Sequence, residues 1–105
     1  MVAPTIVTQP VGIENAFPDT NVNFTVVVEG GALSYQWSRN GVEIEGATQA
    51  TLTLVNVTIA DEDTYSCFIS NMAGNITTND VSLTVCKYII LCTCTYTHNY
   101  CIIDM

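Results

Sequence analysis

The chain reads as all-β: a sandwich of about seven or eight short antiparallel strands. Two observations carry that reading. Bulky apolar residues recur at every second position through residues 1 to about 85, the period of a pleated strand. Clusters of Gly, Asn, Asp and Pro interrupt that rhythm at intervals suited to tight turns. No segment carries a sustained 3.6-residue apolar stripe, so helices are not expected.

The elements follow in order. Pro4 and Pro10 flank Thr5 to Gln9, which suits an edge strand, because proline cannot donate to a ladder. Phe24, Val26 and Val28 alternate with Asn23, Thr25 and Val27. Leu33, Tyr35 and Trp37 alternate with Ser34, Gln36 and Ser38. Asn40-Gly41 is the strongest turn signal, since both residues tolerate positive φ and fit a tight hairpin. Leu52 and Leu54 alternate with Thr51 and Thr53; Tyr65, Cys67 and Ile69 with Ser66 and Phe68; Val81, Leu83 and Val85 with Ser82 and Thr84. Each set puts its bulky members on one face of a strand. Further turns are expected at Pro18-Asp19, Glu29-Gly30-Gly31, Glu45-Gly46, Asp61-Glu62-Asp63 and Ala73-Gly74-Asn75.

Composition bounds the function. At 105 residues the chain is one domain's worth of material, and its hydrophobic share of 49% can supply a single core. Ten carboxylates face only Arg39 and Lys87, for a net charge of −8. Replacing counterions on nucleic-acid phosphates needs several basic residues, and docking on anionic membranes needs a basic patch. Neither partner is expected, nor direct membrane insertion. The N-terminal residues lack the basic-then-apolar pattern of a signal peptide, and no run of about 18 apolar residues exists.

At this point the residues resemble the immunoglobulin-like superfamily, closest to its intermediate-type (I-set) domains, over roughly residues 4 to 85. The carriers are Tyr35-Gln36-Trp37, Asn40-Gly41, Thr51-Leu52-Thr53-Leu54, Asp61-x-Asp63-x-Tyr65-x-Cys67, Ser70-Asn71-x-Ala73-Gly74 and Val81-x-Leu83-x-Val85. The resemblance implies a Greek-key sandwich in which Trp37 packs across the core. It also implies a corner at Tyr65, whose hydroxyl bonds to backbone a few residues upstream. The family's inter-sheet disulfide is missing: its later partner is Cys67, but the earlier position falls at Val26, and no cysteine precedes residue 67. Val26, Trp37, Tyr65 and Cys67 are the expected structural core, with Cys67 a buried, inert thiol. Asp63 stands where many relatives have glycine, a position aspartate tolerates.

Residues 86–105 form a separate unit in this reading: a cysteine-rich, irregular tail carrying four of the five cysteines. Three readings stay open. Cys92-x-Cys94-x₃-His98-x₂-Cys101 supplies soft ligands for a metal, although Cys-x-Cys makes a tight bite for zinc. Disulfides would need an oxidising compartment. The third reading, which we favour, is that the tail is not natural coding sequence. An alternating purine–pyrimidine repeat would encode Thr93-Cys94-Thr95-Tyr96-Thr97-His98.

The expected function is a non-catalytic extracellular recognition or adhesion module, a fragment of a larger cell-surface or receptor protein. Its expected partner is a protein, homophilic or heterophilic. The alternatives are a structural spacer repeat of a multi-domain surface or muscle-type protein, and a small metal-binding protein acting through the tail. No enzyme and no cofactor are expected: His98 is the only histidine, and no glycine-rich phosphate loop appears. Asp61 and Asp63 at i, i+2 fit loop capping better than calcium. Three sequons, at Asn23, Asn56 and Asn75, are candidate glycosylation sites, and random placement would give about two. Asn75 is the first choice. On the outward face of the central strands, Gln36 and Phe68 are the candidate partner contacts, with Phe68 the one large apolar side chain among serines and threonines.

Overall fold

The computed structural model describes residues 2–86. Ten strands and one 3-10 turn make up this part: β1 (Thr5–Thr8), β2 (Ile13–Ala16), β3 (Val22–Thr25), β4 (Val27–Glu29), β5 (Ser34–Arg39), β6 (Val42–Glu43), β7 (Thr51–Leu54), the turn Ile59–Asp61, β8 (Asp63–Asn71), β9 (Gly74–Thr77) and β10 (Val81–Val85). The metal-ligand set expected at Cys92, Cys94, His98 and Cys101 lies outside the described residues. Cys86, at the boundary expected between domain and tail, is buried and disulfide-bonded.

Two layers face each other. β3 and β4 are one stretch of chain broken only at Val26, whose N–H donates to the Ala50 carbonyl at 3.1 Å. With β1 paired to β4 and β7 paired to β3, they form the first layer. The second layer runs β2-β10-β8-β5-β6, with β9 also paired to β8. All pairs are antiparallel except β2 with β10, which is parallel. The chain therefore begins in one layer at β1 and, past the buried Pro10, crosses to the other at β2. Proline suits that crossing because it removes a ladder donor where pairing must stop.

Turn chemistry fixes the register. Asn40 and Gly41 have φ of 50° and 81°, and Arg39 pairs directly with Val42 across this two-residue turn. The turn expected at Ala73-Gly74-Asn75 falls one residue earlier, at Met72 and Ala73, and Asn71 pairs with Gly74. The cause is the Asn71 side chain, whose Oδ1 accepts from the N–H groups of Ala73 and Gly74. The same residue's Nδ2 donates to the carbonyls of Val2 and Gly31, tying three segments together at one end of the sandwich.

The core is a continuous set of inward residues from both layers, including Phe24, Val26, Leu52, Tyr65, Ile69 and Leu83 around Trp37. Phe24 links the other two rings, with centroids 5.3 Å from Tyr65 and 6.5 Å from Trp37. Offset aromatic contacts of this kind add to the area they bury. Val57 belongs to this core although no strand holds it. Its backbone is pinned by two bonds to the β2–β3 connection, from the Asp19 N–H and to the Thr20 carbonyl.

Candidate recognition face

The side chains at the centre of the sandwich hold one another in place. The Trp37 indole is fully buried, and its Nε1 donates to the Gln49 carbonyl at 2.7 Å. A buried N–H of this kind must find an acceptor, and the β6–β7 connection supplies it. The Tyr65 hydroxyl donates to the Asp61 carbonyl at 2.6 Å, four residues upstream. Cys67 is a free thiol with no exposed surface. Burial pushes its pKa up to about 11, so the nucleophilic thiolate is suppressed. Val26 is buried in the same cluster.

Thr78 is the one buried polar residue of the described core. Thr78 lies just past the end of β9, directly opposite Cys67 on β8. Its hydroxyl accepts from the Cys67 N–H at 2.9 Å, while its own N–H donates to the Cys67 carbonyl at 2.9 Å. A side chain thus replaces a ladder carbonyl opposite the unbridged cysteine. Sequence reasoning missed it, because the second threonine of Ile76-Thr77-Thr78-Asn79 carries no separate signal.

Asp61 and Asp63 do not form a calcium-type loop; they flank a cation already present. Arg39 Nε donates to Asp63 at 3.0 Å, its Nη1 lies 4.0 Å from Asp61, and its Nη2 bonds the Ala60 carbonyl. The Asp63 carboxyl is held below its ordinary pKa, first by the Thr64 N–H and then by Arg39. Asp61 also closes a capping box with Thr58 at the 3-10 turn. Among the described residues no group of three or more His, Cys, Asp and Glu side chains is placed to hold a metal ion.

Turned away from this core is the outer face of β5, β8 and β9. Register sets its rows: Ser34, Ser70 and Asn75; Gln36, Phe68 and Thr77; Glu43, Ser38 and Ser66. Except for Glu43 at the rim, the face is uncharged. Phe68 sits at its centre with 44% of its surface exposed. Gln36 is half-buried, and its Nε2 donates to the carbonyls of Trp37 and Ile44, so its amide nitrogen braces the β5–β6 edge. Of the three sequon asparagines, all exposed, Asn75 lies on this face, Asn23 lies on β3, and Asn56 lies in the loop after β7 with φ of 52°.

Two layers in this strand order, an indole between them and a hydroxyl-braced corner define an immunoglobulin-type module. A family model described as "Immunoglobulin domain" matches residues 3–71, and the chain belongs to that family. Solved structures agree. A chimeric titin Z1Z2 carrying a decorin peptide is 25% identical, with a TM-score of 0.69, covering 80% of this chain and 94% of that one. Drosophila OTK extracellular domains 3–5 are 30% identical with a TM-score of 0.68, covering 80% of this chain. This chain spans only 32% of that OTK structure. Sidekick-1 immunoglobulin domains 1–4, at 22% identity and a TM-score of 0.73, share the fold. No curated protein matches the chain.

Proposed function

We propose that this chain is a non-catalytic recognition module of the intermediate type, carried in a longer protein at the cell surface. Its partner is another protein. The contact is the outer face of β5, β8 and β9, anchored by Phe68. The observation that carries this reading is that face: a half-exposed aromatic ring centred among four serines, one threonine and two amides, with no charge except at the rim. A large aromatic ring at the centre of a patch without charge, with charge kept to the rim, is the arrangement of an interface anchor. The 30% identity to extracellular domains of OTK supports the cell-surface location.

A second reading, a structural spacer repeat with no ligand of its own, draws on the 25% identity to titin Z1Z2, which the alignment covers almost end to end. One experiment separates the two. The full chain and F68S, both produced without glycans, are measured against themselves by sedimentation and against a panel of purified cell-surface ectodomains by interferometry. The recognition reading predicts binding that F68S weakens at least tenfold, as expected of a central aromatic anchor. No binding by either form, with both folded, would favour the spacer.

A further inference from the structure

The three sequons differ in what their side chains already do. Asn23 Oδ1 accepts from the Thr53 hydroxyl at 2.8 Å, and the Thr25 hydroxyl of the same sequon lies 3.0 Å from that of Thr51. In the second sequon the Thr58 hydroxyl caps the 3-10 turn. Asn75 and Thr77 stand exposed on β9. Thr77 pairs directly with Phe68 and Asn75 with Ser70, so Asn75 is the diagonal neighbour of the Phe68 ring on one face.

Diagonal neighbours in an antiparallel pair lie about 7–8 Å apart, their Cβ atoms somewhat closer. An asparagine side chain extended by one pyranose ring spans such a gap. The C–H face of a sugar is apolar, and the negative face of an aromatic ring attracts C–H groups. Phe68 presents that ring, with hydroxyls and an amide around it for the sugar's polar rim.

We propose that Asn75 carries an N-linked glycan whose first N-acetylhexosamine lies over Phe68, so that glycosylation covers the apolar centre of the recognition face. The proposal rests on the cell-surface reading above, since the reaction belongs to the secretory route. There the Asn75 Nδ2 forms a bond to the anomeric carbon of a polyprenyl diphosphate-linked oligosaccharide. The bond from that carbon to the diphosphate oxygen breaks, its electron pair leaves with the lipid diphosphate, and the amide nitrogen loses one proton. Nothing is oxidised or reduced. A partner that reaches Phe68 then requires chain with Asn75 bare, while the β5–β6 side of the face stays open in either form.

The glycan–ring contact is tested by stability, and the ectodomain panel then tests the recognition reading apart from it. The full chain is placed behind a cleavable secretion signal, so it enters the secretory route whatever its native location. Four forms are made in eukaryotic cells: unchanged, N75Q, F68S and the double variant, all trimmed enzymatically to the first sugar. Peptide mapping is expected to find that sugar on Asn75. N75Q is expected to lower Tm by a few degrees when Phe68 is present and not measurably in the F68S background. An unmodified Asn75, no loss of Tm, or an equal loss in both backgrounds would overturn the proposal. If the cycle behaves as expected but N75Q still binds no ectodomain, the recognition reading fails and the glycan–ring contact stands.

Discussion

Val26 and Cys67 are both shielded from solvent in one cluster around Trp37, and they come from opposite layers, so Val26→Cys should create a bridge between the sheets. The crosslink would close a loop of about 42 residues. In the chain-entropy model this removes about 13 cal/mol/K from the unfolded ensemble, or about 4 kcal/mol at 25 °C. Against this stands the loss of valine packing, about 1 kcal/mol by analogy with the removal of one buried methyl. The net expectation is about 3 kcal/mol, which for a domain of this size raises Tm by upward of about 12 °C. Trp37, the sole tryptophan, reports the transition by fluorescence in urea, for oxidised and reduced V26C alongside the parent. Reduced V26C should fall slightly below the parent and oxidised V26C well above both. Peptide mapping should join positions 26 and 67. If the two thiols of folded V26C never join under oxidant, the facing of these strands is wrong. If they join with no gain in midpoint, the bridge strains a core that packs differently from this one.

Other outcomes follow from the same core. T78V keeps shape but removes the acceptor for the Cys67 N–H, leaving a buried donor unpaired, and should cost about 1–3 kcal/mol in urea unfolding. Y65F deletes the hydroxyl bond to the Asp61 carbonyl and should cost about 1 kcal/mol without moving the indole, read by the same titration. Because the folded Cys67 thiol titrates near pH 11 and an unfolded one near 9, its contribution to stability is complete below pH 9 and is lost as pH rises towards 11. The loss should be on the order of 2 kcal/mol and should shrink in C67A. Consistently, iodoacetamide should label the Cys67 peptide only after unfolding.

Much of this fold was legible because alternation and turn chemistry act locally. Trp37, Tyr65, Cys67 and Leu83 stood in strands whose period of two already assigned them one side, and Asn40-Gly41 announced its own hairpin. What escaped the sequence depends on partners far along the chain. The parallel pairing of β2 with β10 follows from a crossing at Pro10 that no local pattern describes. Val57 is buried from a loop, through bonds to Asp19 and Thr20, where no alternation marks it. Thr78 reads as one more exposed threonine until Cys67 is seen opposite it. The face was half legible: Phe68 stood out among polar neighbours, yet the place of Asn75 beside it needs the register of β9 on β8.

The most direct measurement is the emission of Trp37 through a urea titration in strong reductant. The account predicts a blue-shifted, quencher-protected indole in the absence of urea and one cooperative red shift as the chain unfolds. A solvent-exposed spectrum before any urea is added would show that the two layers do not hold together without a covalent bond.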